Sequence, residues 1–405
     1  MSGKWTPRSR QWYSTRPREN PIVTSPPPPV GPLIQTVSVK DLDNEPAAPL
    51  NSAKIHNART VTSFSWVDEA DAGPTIMIPG KPPLWTPQAN PRPLKEDSGR
   101  YFRDKNAARY PKHPVEPAVI ASLLAEPELA SKLDLFACGS TLGNLLRFVT
   151  GPDKSFRMLV YKVQNTVFLV RRENSPTELI PDVRGFGHTF PEANTTWEPD
   201  VKGSASHQRL LRYDFGGLDI LVRFEADGYF KGPGTESANP PTASSSSTTV
   251  QDLLKSFSTV TISPPLTGAP PGTSSPSLPT APSPTPTITS LRILTPVAHA
   301  SPHHSSTAAV PSSSPPAPTP TPHAALFDLK TRSIHTRQHP HPDSNPNPKS
   351  KDHLALSLPR LWTTQIPTLI LAFHTHGHFR RSDTEIHDMR ERAGEAAAAG
   401  AAGGW

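Results

Sequence analysis

The stretch HQRLLRYDFGGLDILVRFEAD, residues 207–227, reads as two strands, His207–Phe215 and Leu218–Asp227, joined at Gly216-Gly217. Paired glycines between alternating runs mark a tight hairpin turn. In the second strand Leu218, Ile220, Val222, Phe224 and Ala226 share one face. Asp219, Leu221, Arg223, Glu225 and Asp227 share the other, because strand side chains alternate with period two. Glu225 and Asp227 thus stand one pleat apart, where two carboxylates repel unless a cation lies between them.

A second run, LFDLKTRSI at Leu326–Ile334, puts Phe327, Leu329 and Thr331 opposite Asp328, Lys330 and Arg332. If these two runs pair, three carboxylates and a lysine converge. Such a group suits a hard divalent cation, Mg²⁺ or Mn²⁺, and an activated water attacking a phosphodiester. A lysine beside the ion can orient the water or stabilise the phosphate. Other Glu-x-Asp pairs, Glu69/Asp71 and Glu198/Asp200, lack the clean alternation and the apolar back face.

Around these strands the chain alternates between fold-forming and patternless sequence. Strands are expected at Thr60–Val67, Pro74–Ile78 and Leu133–Ala137, with a hairpin of Phe156–Val163 and Thr166–Arg172 around Gln164-Asn165. Helical spacing covers Glu116–Ala125, Thr141–Val149 and Leu354–Gln365, and Thr368–Phe373 reads as a strand. Residues 178–197 match no clear template. Proline makes up 52 of 405 residues and hydrophobic types only 34%. The prolines crowd into 1–58, expected to be a disordered tail, and into 232–323, expected to be a disordered Pro/Ser/Thr-rich insertion.

No acidic residue occurs between Asp252 and Asp328. Lengthening a short connection to that size costs only ~2–3 kcal/mol in loop closure, so one domain can hold together around it. The expected organisation is a domain in two parts, 59–231 and 324–390, followed by a low-complexity tail, 391–405. The apolar positions of Val250–Phe257, and the proline-rich segments generally, are candidate docking sites for protein partners.

A formal charge of +6 favours an anionic partner. In the tail, Trp5, Trp12 and Tyr13 interleave with Lys4, Arg8 and Arg10, a mixture able to stack on bases and neutralise phosphates. The single cysteine, Cys138, excludes an intramolecular disulfide and fits a reducing compartment. No secretory signal is visible, and the apolar run Ile366–Phe373 is too short to span a bilayer. The expected location is the nucleus or cytoplasm, without membrane attachment.

Five blocks in order resemble the decapping exoribonucleases of the DXO/Rai type. LDLFACGSTLGNLL (133–146) resembles the strand and helix before their first catalytic motif. RGFGHTFPE (184–192) resembles the glycine-aromatic motif that ends in a catalytic glutamate. LRYDFGGLDILVRFEAD (211–227) resembles the Glu-x-Asp hairpin, and FDLKTRS (327–333) the Glu-Leu-Lys strand. LWTTQIPTLILAFHTHGHF (361–379) resembles the last motif, whose Trp and Gln match Trp362 and Gln365.

The resemblance implies an α+β fold, a mixed sheet with flanking helices of the PD-(D/E)XK nuclease type. It implies metal-dependent hydrolysis at RNA 5′ ends, with Glu192, Glu225, Asp227 and Asp328 as metal ligands. Lys330 would be catalytic with them, and Gln365 and Arg184 would contact RNA. Two departures stand out. Cys138-Gly139-Ser140 replaces the family's Trp-Arg-Gly, and Asp328 replaces a glutamate. A catalytically inactive scaffold on the same fold, binding RNA or protein, is the alternative.

The block DSGRYFRDKNAARYPKHPVEPAV (97–119) is also similar to a group of fungal proteins sometimes labelled geranylgeranyl pyrophosphate synthetase. That chemistry needs a DDxxD-type aspartate pair, and none occurs in the chain.

Overall fold

The computed structural model describes residues 30–42, 54–68, 73–150, 155–231, 291–296, 320–337 and 351–390. The aromatic residues of the N-terminal tail, the candidate docking stretch Val250–Phe257 and the C-terminal low-complexity stretch lie outside the described residues.

Within them the fold is α+β, with two mixed sheets and flanking helices. The first seven strands are β1 (His56–Val67), β2 (Thr75–Met77), β3 (Leu84–Trp85), β4 (Leu135–Cys138), β5 (Met158–Val163), β6 (Thr166–Arg171) and β7 (Thr195–Thr196). The rest are β8 (Ser204–Phe215), β9 (Leu218–Glu225), β10 (Gly228–Tyr229), β11 (Arg292–Leu294), β12 (Leu326–Ser333), β13 (Thr368–His374) and β14 (Thr384–Asp388). The helices are α1 (Val39–Leu42), α2 (Lys105–Arg109), α3 (Glu116–Ala125), α4 (Leu129–Lys132), α5 (Gly139–Thr150), α6 (Thr189–Asn194) and α7 (His353–Thr364).

The larger sheet has the order β11-β2-β1-β8-β9-β4-β6-β5 and the smaller one β14-β13-β12-β10-β3-β7. Alternation on the central strands gives each sheet two buried faces. Ile220, Val222 and Phe224 of β9, with Leu211 and Tyr213 of β8, pack against Leu326, Leu369, Leu371 and Phe373 of the smaller sheet. Leu210 and Leu221, on the opposite face, pack with Trp66 and Phe136 against Ala118, Ala121 and Leu129 of the α3–α4 region. The outer face of the smaller sheet, through Phe327, Leu329 and Ile370, is covered by Phe186, Phe190 and Phe379. The sequence therefore supplies a helix layer, two sheets and a covering loop layer. The face of β9 that carries Glu225 is buried at Leu221, as a central strand requires.

Both expected hairpins form. Phe215 pairs with Leu218 across Gly216 and Gly217, whose φ values of 60° and 79° demand glycine-like freedom. Val163 pairs with Thr166 across Gln164-Asn165.

One pairing differs from expectation. β9 ends at Glu225 and stays in the larger sheet, while β12 belongs to the smaller one, paired parallel to β13. The chain crosses between sheets at Ala226-Asp227, and only the continuation Gly228–Tyr229 pairs with Phe327–Leu326. The two strands expected to pair are thus separated by a corner, because β4 and β8 already occupy both edges of β9.

Part of the expected insertion is also built into the fold. Arg292–Leu294 adds a parallel edge strand to β2, and Ile293 and Leu294 pack against buried apolar clusters. A three-residue apolar run is enough for an edge strand but too short to show a period.

Behind the hairpin lies a buried basic group. Arg209 is 1% exposed and donates to the Thr321 carbonyl at 2.8 Å. Burial lowers its pKa to about 10. His207 is fully buried beside it, and burial, with the charge of Arg209, holds it well below the ordinary histidine value. His323 donates from Nε2 to the Gln365 carbonyl at 2.9 Å, and burial, followed by Arg209, lowers its pKa to about 4.

A histidine that is neutral when folded but protonated when unfolded contributes stability above its ordinary pKa, and this is lost as pH falls through about 6.5. For His323 the loss between pH 7 and pH 5 is about 2 kcal/mol. Asp227, described below, opposes it with a raised pKa. Urea unfolding at both pH values should therefore show His323→Gln losing about 2 kcal/mol less than the wild type. Equal losses would show that His323 titrates alike in both states.

Candidate active site

The corner between the sheets brings Asp227 opposite Asp328, one step beyond the Gly228–Phe327 pair of the ladder. Asp227 Oδ2 accepts the Leu329 N–H at 2.8 Å, which ties the corner to β12. Asp328 points to the inter-sheet side of β12, shared with Leu326, and is 1% exposed. Lys330, two residues on, places its Nζ 2.9 Å from Asp328 Oδ1 and 3.5 Å from Asp227 Oδ2. It also donates to the Leu329 carbonyl at 3.0 Å.

Arg360 reaches the same Asp328 Oδ1 from α7, at 2.5 Å. Asp352 caps that helix, accepting the Leu354 and Ala355 N–H groups at 3.0 and 2.9 Å.

The two carboxylates behave differently. Burial raises Asp227 to about 6; Lys330 opposes this shift, and the charge of Asp328 adds to it. Burial also works to raise Asp328, but Arg360 and Lys330 outweigh it and hold Asp328 well below the ordinary range. Both cations crowd onto Oδ1, so Asp328 Oδ2 is buried and receives a bond from neither of them. The two carboxyl groups can share a proton, and the same place suits a metal cation.

The remaining expected residues lie outside this pair. Glu225 ends β9 and its side chain is 39% exposed, with Lys105 Nζ of α2 at 3.9 Å. Its charge acts on both Arg360 and His188. Glu192 is exposed on α6, and its charge is felt by Tyr101, whose ring stacks on His188 at 3.7 Å. Asp97, buried although it lies some ninety residues upstream, accepts the His188 and Thr189 N–H groups and fixes the start of that helix. Arg184 is exposed in the loop before it.

Gln365 caps α7 in a left-handed conformation (φ 54°), and its amide donates to the Trp362 carbonyl at 2.6 Å. Its side chain is therefore committed to the helix end.

The expected four-carboxylate metal shell is not assembled. Among the described residues no three His, Cys, Asp or Glu side chains form a group able to hold a metal ion. The reason is the corner: it turns Asp227 toward the smaller sheet and leaves Glu225 on the larger one. The pair Asp227/Asp328 nevertheless fits Mg²⁺ or Mn²⁺. Such ions are commonly held by one or two carboxylates, with water and substrate phosphate completing the shell. The histidines at 374, 376 and 378 form no metal group either. His374 instead packs against Phe186 and Phe379.

Position by position, the family's arginine would fall on Gly139. A Cβ there would lie 2.6 Å from Thr364 Cγ2 and 3.2 Å from Phe224 Cβ, so α7 and β9 leave no room for a side chain. The preceding Cys138 is buried against Ser140 and Thr141. Burial raises its thiol, but Arg223 and these hydroxyls more than offset that, and the net shift is downward.

Comparison with known proteins gives three findings. The family described as Domain of unknown function (DUF8563) matches residues 37–264. No curated protein matches the chain.

Solved structures similar in fold include Rai1 of S. pombe in complex with 3′-FADP, at 9% identity and a TM-score of 0.43, covering 89% of this chain and 81% of that one. Candida albicans Rai1 in complex with pU5-Mn²⁺ shows 9% identity and a TM-score of 0.39, covering 85% and 76%. K. lactis Dxo1 in complex with manganese shows 9% and 0.34, covering 86% and 75%.

Proposed function

The chain belongs to the DUF8563 family, and we propose that it is a metal-dependent hydrolase of RNA phosphodiester bonds acting at 5′ ends, in the manner of decapping and 5′-end quality-control nucleases. The observation that carries this reading is the buried Asp227/Asp328 carboxyl pair, whose Asp328 Oδ2 meets neither cation, with a lysine beside both acids. The order of the five sequence blocks supports it.

Asp227 and Asp328 would hold Mg²⁺ or Mn²⁺, and Glu225 and Glu192 are assigned to the exposed side as further ligands for the ion or its waters. When bound, the ion supplies an acidified water and neutralises charge growing on the phosphate. Lys330 keeps Asp328 ionised and presents an ammonium to the reacting phosphate. Arg360 does the same from α7. Arg184 and the Gln365 region are assigned to RNA contacts. The activity belongs in the nucleus or cytoplasm. Among the described residues no helix is long and apolar enough to cross a membrane.

One observation favours a second reading, a non-catalytic RNA- or protein-binding scaffold. Arg360 and Lys330 already neutralise Asp328 without a metal.

Two measurements separate the readings. Wild-type protein with Mn²⁺ should hydrolyse at least one of 5′-capped, 5′-triphosphate and 5′-monophosphate RNA. Mn²⁺ at a hundred times its Kd should also stabilise the fold by about 2.7 kcal/mol, read as a rise in Tm of several degrees. Intact RNA together with an unmoved Tm would leave the scaffold.

A further inference from the structure

On the outer face of the smaller sheet, away from Asp328 and Lys330, lies a cleft of about 300 Å³. Phe190 and Phe379 floor it, half-buried Trp85 borders it, and Arg92, Arg380 and Arg381 line its mouth. The two sites share one strand: Phe327, adjacent to Asp328, turns to this side and packs on Trp85 at 5.5 Å. We propose that this cleft binds a nucleotide unit of single-stranded RNA, with a base against Trp85 and the flanking phosphates on the three arginines. The choice of polymer rests on the RNA reading above; the cleft itself does not.

Three features favour this occupant. The arginines are exposed, and among the described residues none of the three forms an ion pair. Three clustered guanidinium groups without acids repel one another and suit a polyanion. The acids nearest in sequence are already taken: Arg337 pairs with Glu385 at 2.6 Å and with Asp383 at 3.4 Å. Phe190 and Phe379 are buried, so Trp85 is the ring left to meet a base, and an aromatic ring beside arginines is the arrangement that holds single strands through stacking and phosphate binding. The volume is at the lower end for small-ligand sites, enough for one base and its sugar.

Fluorescence anisotropy of a short labelled single-stranded RNA in EDTA, where no metal-dependent cleavage occurs, tests the assignment. Arg380→Ala/Arg381→Ala should weaken binding about tenfold. It should also lower the slope of log K against log salt by about 1.4, as expected when two phosphates of a single strand are no longer neutralised. Lys162→Ala/Lys202→Ala removes the same net charge from exposed positions elsewhere and should leave binding within about twofold. An abasic strand of equal length should bind more weakly than the RNA.

The proposal is overturned if the arginine variant binds like the wild type, if both double variants weaken binding equally, or if the wild type binds no RNA. It is also overturned if the abasic strand or polyglutamate binds as well as RNA. Cleavage by the wild type together with unaltered binding by the arginine variant sinks the cleft and leaves the nuclease. Lost binding in that variant, with no cleavage by the wild type, does the reverse.

Discussion

Asp328→Asn is expected to lower Mn²⁺-dependent RNA cleavage by about 10³-fold, the loss that removal of one preorganised electrostatic group can reach. The amide keeps the shape of the side chain but carries no charge to hold a cation. It also leaves Arg360 and Lys330 facing a neutral group, so a loss of stability is expected alongside. Measuring Arg360→Ala separates the two effects. That variant strips one cation from a carboxylate that is 1% exposed, while the arginine is itself 32% exposed. The cost should fall short of a fully buried pair, about 2–3 kcal/mol in urea unfolding.

If Arg360 only competes with the metal for Asp328, Arg360→Ala binds Mn²⁺ more tightly and keeps its activity. If it serves the phosphate, activity falls while Mn²⁺ affinity holds or rises. Cleavage by Asp328→Asn at the wild-type rate would remove the carboxylate pair from the chemistry altogether.

Gly228→Ala should be as damaging for a purely steric reason. Its Cβ would lie 2.2 Å from Phe327 Cζ and 2.9 Å from both Cε atoms. Phe327 has no exposure, and Trp85 and Phe230 hold its ring at centroid distances of 5.5 and 5.0 Å. It cannot turn aside without breaking the outer cluster. Overpacking of this kind costs about 3 kcal/mol. Because Gly228 and Phe327 are the rung next to Asp227 and Asp328, the carboxylate pair should loosen with it.

Combining Gly228→Ala with Phe327→Leu frees the space, and the double variant should recover part of the loss in chemical denaturation. A single Gly228→Ala variant that unfolds like the wild type would mean that the rung is not packed as described.

The hairpin of β8 and β9 was legible because two glycines and a clean alternation specify it locally. So were α5 and α7, found within two residues of their expected ends, and the strand carrying Asp328 and Lys330. What the sequence hid were the features set by docking. Nothing around Arg360 announces that α7 will lay it on Asp328; a helix arginine near a Trp reads as solvated. β3, β7 and β10 are two residues each, too short to carry a period, and form only because neighbouring strands offer them an edge.

The extended reading of Glu225-Ala226-Asp227 failed for a related reason. Alternation continues through the three residues, but Ala226 takes its N–H bond to the His207 carbonyl while Asp227 turns away to β12. No local pattern distinguishes a strand that continues from one that changes sheets.

That corner has a mechanical consequence. Glu225 ends the larger sheet, and two residues on Asp227 is already bonded to the smaller one, so the corner clasps the two halves together. The Leu329 amide donates to Asp227, so its exchange with deuterium should be slow for as long as that bond holds. That exchange therefore reports the opening of the corner's own bond, and an ion held between the carboxylates would act as a latch on it rather than only as a reagent.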